Sequence, residues 1–253
     1  MEKSNITDIA HKNHELLWPN YQSRIKENDP DFIALFDNFA FDDVINQDTL
    51  DTKTRVLMIL ASTLGSQALT EYKMYVTAAL TVGISPIEIK EVLYQSVPYV
   101  GISKIVDFIL ATNEIFKDRA IVLPLPSQVT STSETRYEEG LKLQKTIFGN
   151  LIDEMYQNSP LDVIHIQEFI SANCFGDYYT RNGLDIATRE MVTLSFLIAM
   201  GGTESQMKAH IKGNVTVGND RKKLINLITQ LLPYVGYPRT LNAIACLNEI
   251  APE

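Results

Sequence analysis

The sequence predicts an all-α protein built from two similar helical units, on three observations. Short motifs recur at a nearly constant offset, apolar residues recur at helical spacing, and no window shows sustained apolar–polar alternation. Thr81-Val82-Gly83 returns as Thr216-Val217-Gly218, and Pro98-Tyr99-Val100-Gly101 returns as Pro233-Tyr234-Val235-Gly236, both at an offset of 135. Glu114-Ile115 returns as Glu249-Ile250 at the same offset, while DTKTR at 51–55 returns as DIATR at 185–189 at 134, so the second copy carries one extra residue between these landmarks. Upstream, Asn20, Asn28 and Pro30 match Asn150, Asn158 and Pro160 at 130. Ordered matches of this kind read as a tandem duplication. The first unit is expected over 1–120 and the second over 136–253. Between them lies a linker over 121–135, whose centre, LPLPSQVTSTSE, has the Pro/Ser/Thr bias of an exposed connection.

Each unit is then read element by element. Leu57, Leu60, Ala61 and Leu64 form an i, i+3, i+4, i+7 stripe, as do Leu224, Leu227, Ile228 and Leu231. Ser85-Pro86-Ile87-Glu88 places Ser at the N-cap, Pro at the first helical position and Glu three residues after the cap, a capping box that opens a helix. Asp220 takes the cap position in the second copy. Pro98 and Pro233 are expected to close their helices, with Gly101 and Gly236 making the turn into last helices that end near Ile115 and Ile250.

Composition narrows the function classes. At 253 residues, 45% hydrophobic and 21% charged, the chain can bury one large or two small cores. The longest apolar stretch, Val192–Met200, is far short of the roughly 20 residues of a membrane-spanning helix. The start, MEKSNITDIAHKNHELLW, has no basic segment leading into an apolar run, so no secretory signal is read and a cytoplasmic protein is expected. A net charge of −9, with no basic run longer than Arg221-Lys222-Lys223, argues against nucleic acid and anionic membranes as partners. Cys174 and Cys246, 72 residues apart and outside any CxxC, offer no disulfide framework or thiol metal site and read as buried thiols. His11 and His14 lack a third ligand, so no metal is expected.

Polar groups on the two helices joined by the glycine turn near 201 are the best placed to meet, because a short connection makes those helices antiparallel neighbours. The second unit offers Glu190 on the first of them and Thr203, Gln206 and His210 on the next. On an ideal helix, Thr203 and Gln206 lie about 20° and 40° from His210 on one face, and Glu204 lies about 120° away, where as a first-turn acid it suits the helix dipole. In the first unit, Glu71 and Tyr75 read as a structural hydrogen bond. Tyr99 and Tyr234 read as packing, and Phe175, Tyr178 and Tyr179 beside Gly176 as a mobile aromatic segment that lines a pocket or covers the core.

TREMVTLSFLIAMGGTESQMKAHIKGNVTVG followed by ITQLLPYVGYPRTLNAIACLNEI resembles the carboxymuconolactone decarboxylase family, within the alkylhydroperoxidase D-like superfamily of all-helical proteins. ILASTLGSQALTEYKMYVTAALTVGISPIEIKEVLYQSVPYVG is a more diverged copy of the same unit. In the superfamily's peroxidase branch the resemblance implies a Glu, then Cys-x-x-Cys, then His. Those places fall on Glu190, Thr203, Gln206 and His210 here, and on Val56, Ala68, Glu71 and Tyr75 in the first unit. Neither set holds a sulfur to attack or resolve, so thiol peroxidase chemistry would need Cys174 and Cys246 to meet across the fold.

The decarboxylase branch implies no metal and no redox cofactor, only a His with a nearby acid, often a Glu four residues earlier. His210 fits, whereas Gln206 stands at that earlier place. The implied roles are acid/base for His210, orientation for Glu190 and hydrogen bonding to substrate for Gln206, Thr203 and Glu204. The partner would be a small-molecule acid or lactone, and the assembly a homo-oligomer, a trimer of two-unit chains forming a pseudo-hexamer. Two readings stand at this point. One is a cofactor-free lyase or isomerase acting on a small carboxylated lactone or keto acid, and the other is a non-catalytic helical scaffold or small-molecule binder.

Overall fold

Asp51 and Asp185, which open the matched DTKTR and DIATR segments, each cap a helix by accepting a hydrogen bond from the backbone N–H three residues on. These two caps start the central helices of the protein. The computed structural model describes residues 5–21, 23–47 and 49–253, and among them every regular element is helical. The first unit comprises α1 (Asp8–Leu17), α2 (Pro30–Asn38), which runs into a π-helical turn at Phe39–Asp43, α3 (Thr52–Gly65), α4 (Leu69–Thr81), α5 (Pro86–Gln95), a short α6 (Val97–Val100) and α7 (Ile102–Asp118). The second comprises α8 (Arg136–Phe148), α9 (Leu151–Asn158), α10 (Ile164–Phe169), which runs into a π-helical segment at Ile170–Tyr179, α11 (Ile186–Met200), α12 (Glu204–Thr216), α13 (Arg221–Val235) and α14 (Tyr237–Ile250).

Helices α3 and α11 lie against each other at the centre, each also packed by helices of both units. Val56 to Gly65 and Arg189 to Ala199 are consequently buried without a break, which is wider than the one-sided stripe expected of an amphipathic helix. They approach closely at Gly65, where a Cβ would lie 2.6 Å from the Phe196 carbonyl oxygen and 2.9 Å from Ala199 Cβ. One hydrophobic core therefore spans both units.

The expected caps are present. Ser85 and Glu88 make the reciprocal capping box, and Asp220 accepts from Lys223 N. The prolines behave differently from expectation. Pro233 sits inside α13, which continues to Val235, and Pro98 lies in α6, immediately after α5. In both copies the helical run ends instead at the glycine, with φ of +89° at Gly101 and +80° at Gly236, a region open to Gly without strain.

Close backbone contact also holds α8 to the π-helical segment. A Cβ on Gly140 would overlap the Ser171 carbonyl oxygen, and one on Gly176 would overlap the Arg136 carbonyl. Neither backbone can retreat far, so Gly140→Ala is expected to cost about 1–3 kcal/mol by overpacking. A urea denaturation beside the exposed-site control Glu138→Ala checks this; equal midpoints would refute it.

Lys90, on α5, is 6% exposed and donates from Nζ to Asn113 Oδ1 at 2.6 Å. Burial brings its pKa down from 10.5 to about 8. Between those values the unfolded chain holds a proton that the folded chain has released, so this group makes stability rise with pH across that window and adds no slope below it. The urea midpoint of wild type minus that of Lys90→Met should therefore climb from pH 8 to pH 10 and be flat from pH 6 to 7.5. A difference independent of pH would contradict the burial argument.

Candidate active site

The cap at Asp185 places Glu190 in the second turn of α11, and Gly201 and Gly202, both with φ of +69°, reverse the chain into α12. Thr203 precedes α12, and its hydroxyl donates to the Leu197 carbonyl at 2.8 Å, fixing the reversal. His210 then faces α11, and its Nδ1 lies 2.9 Å from Glu190 Oε2. The carboxylate is fully buried and the imidazole is 8% exposed.

Asn214 ties the two helices together, donating to the backbone carbonyls of Glu190 (3.0 Å) and His210 (2.8 Å), and its own oxygen accepts from Asn219. Gly213 leaves room for the carboxylate, since a Cβ there would lie 2.7 Å from Glu190 Oε2 and 2.9 Å from Phe148. Glu190 Oε1 has no hydrogen-bond partner among the described residues although it is buried. A buried polar oxygen of this kind is normally satisfied, so Oε1 keeps an unmet demand for a hydrogen-bond donor.

Aromatic rings enclose the imidazole. Phe148 meets it edge-on at 5.3 Å between centroids, and Tyr99 of the first unit at 5.9 Å. The Tyr99 hydroxyl bonds to that of Tyr179 at 3.1 Å and accepts from Cys174 Sγ, while Tyr179 bonds to Thr193. Burial pushes the Cys174 thiol up to about 12 and both tyrosines well above their usual value, so this wall is uncharged at neutral pH.

The first unit repeats the arrangement with other chemistry. Tyr75 stands where His210 stands, and it meets Tyr234 edge-on at 5.5 Å and Trp18 at 5.2 Å. Tyr234 is the counterpart of Tyr99 at offset 135, and Trp18 that of Phe148 at 130. Each unit thus completes the other's site with the tyrosine of its Pro-Tyr-Val-Gly turn. Val56, buried, replaces Glu190.

The structure joins only part of the expected set. His210 and Glu190 are in contact. Gln206 is exposed, with its Oε1 accepting from Ser205; Thr203 is spent on Leu197; and Glu204 accepts from Asn242. Because α12 begins at Glu204, Thr203 lies outside the regular helix on which the shared face was counted. Tyr75 is not bonded to Glu71, which is exposed; its hydroxyl pairs with Tyr234. Phe175 and Tyr179 are buried in the π-helical segment and form part of the core, so that segment is not a loose flap. Tyr99, Phe148, Cys174, Asn214 and Gly213 were missed as site residues. The duplication offsets could have flagged Tyr99 and Phe148, each through the aromatic residue at its matching place.

Cys174 and Cys246 are both free. Among the described residues, no cluster of three or more His, Cys, Asp or Glu is arranged to hold a metal, and no helix is long and apolar enough to cross a membrane. Comparison with known proteins gives two matches to the Carboxymuconolactone decarboxylase family, over residues 30–114 and 165–249. The chain is also 29% identical over 122 residues to 4-carboxymuconolactone decarboxylase of Acinetobacter baylyi, an alignment spanning 46% of this chain and 87% of that protein.

Proposed function

Since the chain belongs to the carboxymuconolactone decarboxylase family, we propose that its second unit catalyses acid/base decarboxylation or isomerisation of a small carboxylated lactone or keto acid at His210 and Glu190. The observation that carries this reading is the buried 2.9 Å contact between Nδ1 and a carboxylate that keeps one oxygen unpartnered. With Nδ1–H donated to Glu190, the imidazole is oriented so that Nε2 is the atom free to exchange a proton. As CO2 leaves, the electron pair of the broken C–C bond moves into the conjugated carbonyl of the ring. Protonated His210 then delivers a proton from Nε2 to carbon and recovers one from solvent. Substrate, CO2 and proton balance without a redox step. Phe148 and Tyr99 limit water around the imidazole and favour a flat, partly apolar substrate. The relative from Acinetobacter baylyi bears the name of such a decarboxylase, which supports the substrate class.

The test is CO2 release from 4-carboxymuconolactone and a panel of related lactones and 2-keto acids by the purified protein. Release above the buffer rate is expected for at least one compound, and none from any would overturn the reading. The burial of His210 between Phe148 and Tyr99 favours a second reading, a non-catalytic small-molecule binder. That reading would be supported by binding without turnover.

A further inference from the structure

A cavity of about 640 Å³ opens in the first unit, and His210 is not part of its wall. Its size falls within the roughly 300–1,000 Å³ of small-molecule sites. Trp18, Phe36, Phe41, Tyr75 and Tyr234 give it aromatic walls. Asp37 also lines it. This carboxylate is 9% exposed and has no hydrogen bond or ion pair among the described residues, so its oxygens have the cavity to turn to. The Tyr75 and Tyr234 hydroxyls are paired with each other.

Charge in the wall is unbalanced. Glu15, Asp37 and Glu71 are set against Lys26 and His11, both of which are exposed. His14 also faces the cavity, and burial lowers its pKa while raising that of Asp37, so the imidazole is a weak counter-ion for the acid. Arg55 acts on the tyrosine pair but is not in the wall. An unpaired carboxylate among aromatic faces complements a cation, which gains from the acid and from the ring quadrupoles together. A neutral body would leave the acid unmatched, and an anion would meet it directly.

We propose that this cavity binds an organic ammonium ion with an aromatic or apolar body, at a site separate from His210 and Glu190. Trp18 is the chain's single tryptophan and lies in the wall, so its fluorescence reports occupancy directly. The experiment titrates the full chain at neutral pH with phenethylammonium, its neutral analogue 2-phenylethanol and the anion phenylacetate. Phenethylammonium is expected to bind about tenfold or more tightly than the alcohol, with phenylacetate weakest. In Asp37→Asn, with unchanged far-UV circular dichroism, the preference for the cation should disappear. Equal binding of cation and alcohol, tighter binding of the anion, no binding of any of the three, or a preference that survives in Asp37→Asn would each overturn the proposal. The three-ligand comparison on the wild-type chain decides the matter even if the variant does not fold.

Discussion

Replacing His210 by glutamine is expected to lower kcat for decarboxylation by about 10²- to 10⁴-fold, the usual contribution of a positioned acid/base. Glutamine can still donate an amide N–H towards Glu190, so the buried carboxylate keeps a partner and the fold has little reason to change. It cannot carry a proton to carbon. The loss should fall on kcat, with KM changing far less, because the enclosing rings of Phe148 and Tyr99 stay in place. Steady-state kinetics on whichever panel compound is turned over make the measurement, with thermal denaturation to confirm folding. A variant retaining its rate to within a few-fold would remove His210 from the chemistry.

Glu91→Ala is expected to give the largest loss of stability, about 3–5 kcal/mol, because it strands a charge in the interior. Glu91 accepts from Arg189 at 3.0 Å and from Arg181 at 2.9 and 3.0 Å, and the side chains of Glu91 and Arg189 are each only 1% exposed. Gln95 and the carbonyls of Arg181 and Asn182 also hold the Arg189 guanidinium, but none supplies a negative charge. This cluster joins α5 of the first unit to α11 of the second, so its loss loosens the contact between them. Urea denaturation should show a lower midpoint with an unchanged slope, and Glu91→Ala/Arg189→Met should recover part of the loss. By comparison, the exposed pair of Lys208 and Glu249 should be nearly silent to Glu249→Ala. A Glu91→Ala midpoint close to wild type would mean that the hydrogen bonds alone satisfy Arg189.

The fold was legible because duplication and capping are local signals. Asp51 and Asp185 mark equivalent starts, Ser85 and Asp220 mark caps, and a nearly constant offset orders them. The family resemblance singled out His210 and Glu190, and a chain reversal at Gly201 suffices to bring them together. What escaped was contact between the units. Tyr99 is far from His210 in sequence, and nothing on its own helix distinguishes a packing ring from one that faces a site in the other unit. Gln206 stands apart from the His210–Glu190 pair because a shared helical face does not say which neighbours cover it, and α12 leaves this part of its surface to solvent. The carboxylate at Asp37 escaped for the same reason: only the packing of α1, α2 and α4 around it turns an unremarkable acid into a cavity wall.

The reciprocal tyrosines bear on what fusing two copies permits. In a symmetric dimer of separate single units, any change at the His210 position or in the Pro-Tyr-Val-Gly turn would be imposed on both sites at once. A covalent tether frees each locus to drift alone, so one half can hold an imidazole while the other takes a phenol. Pulling the halves apart would still strip each of an aromatic ring it borrows, so the two halves remain mutually dependent.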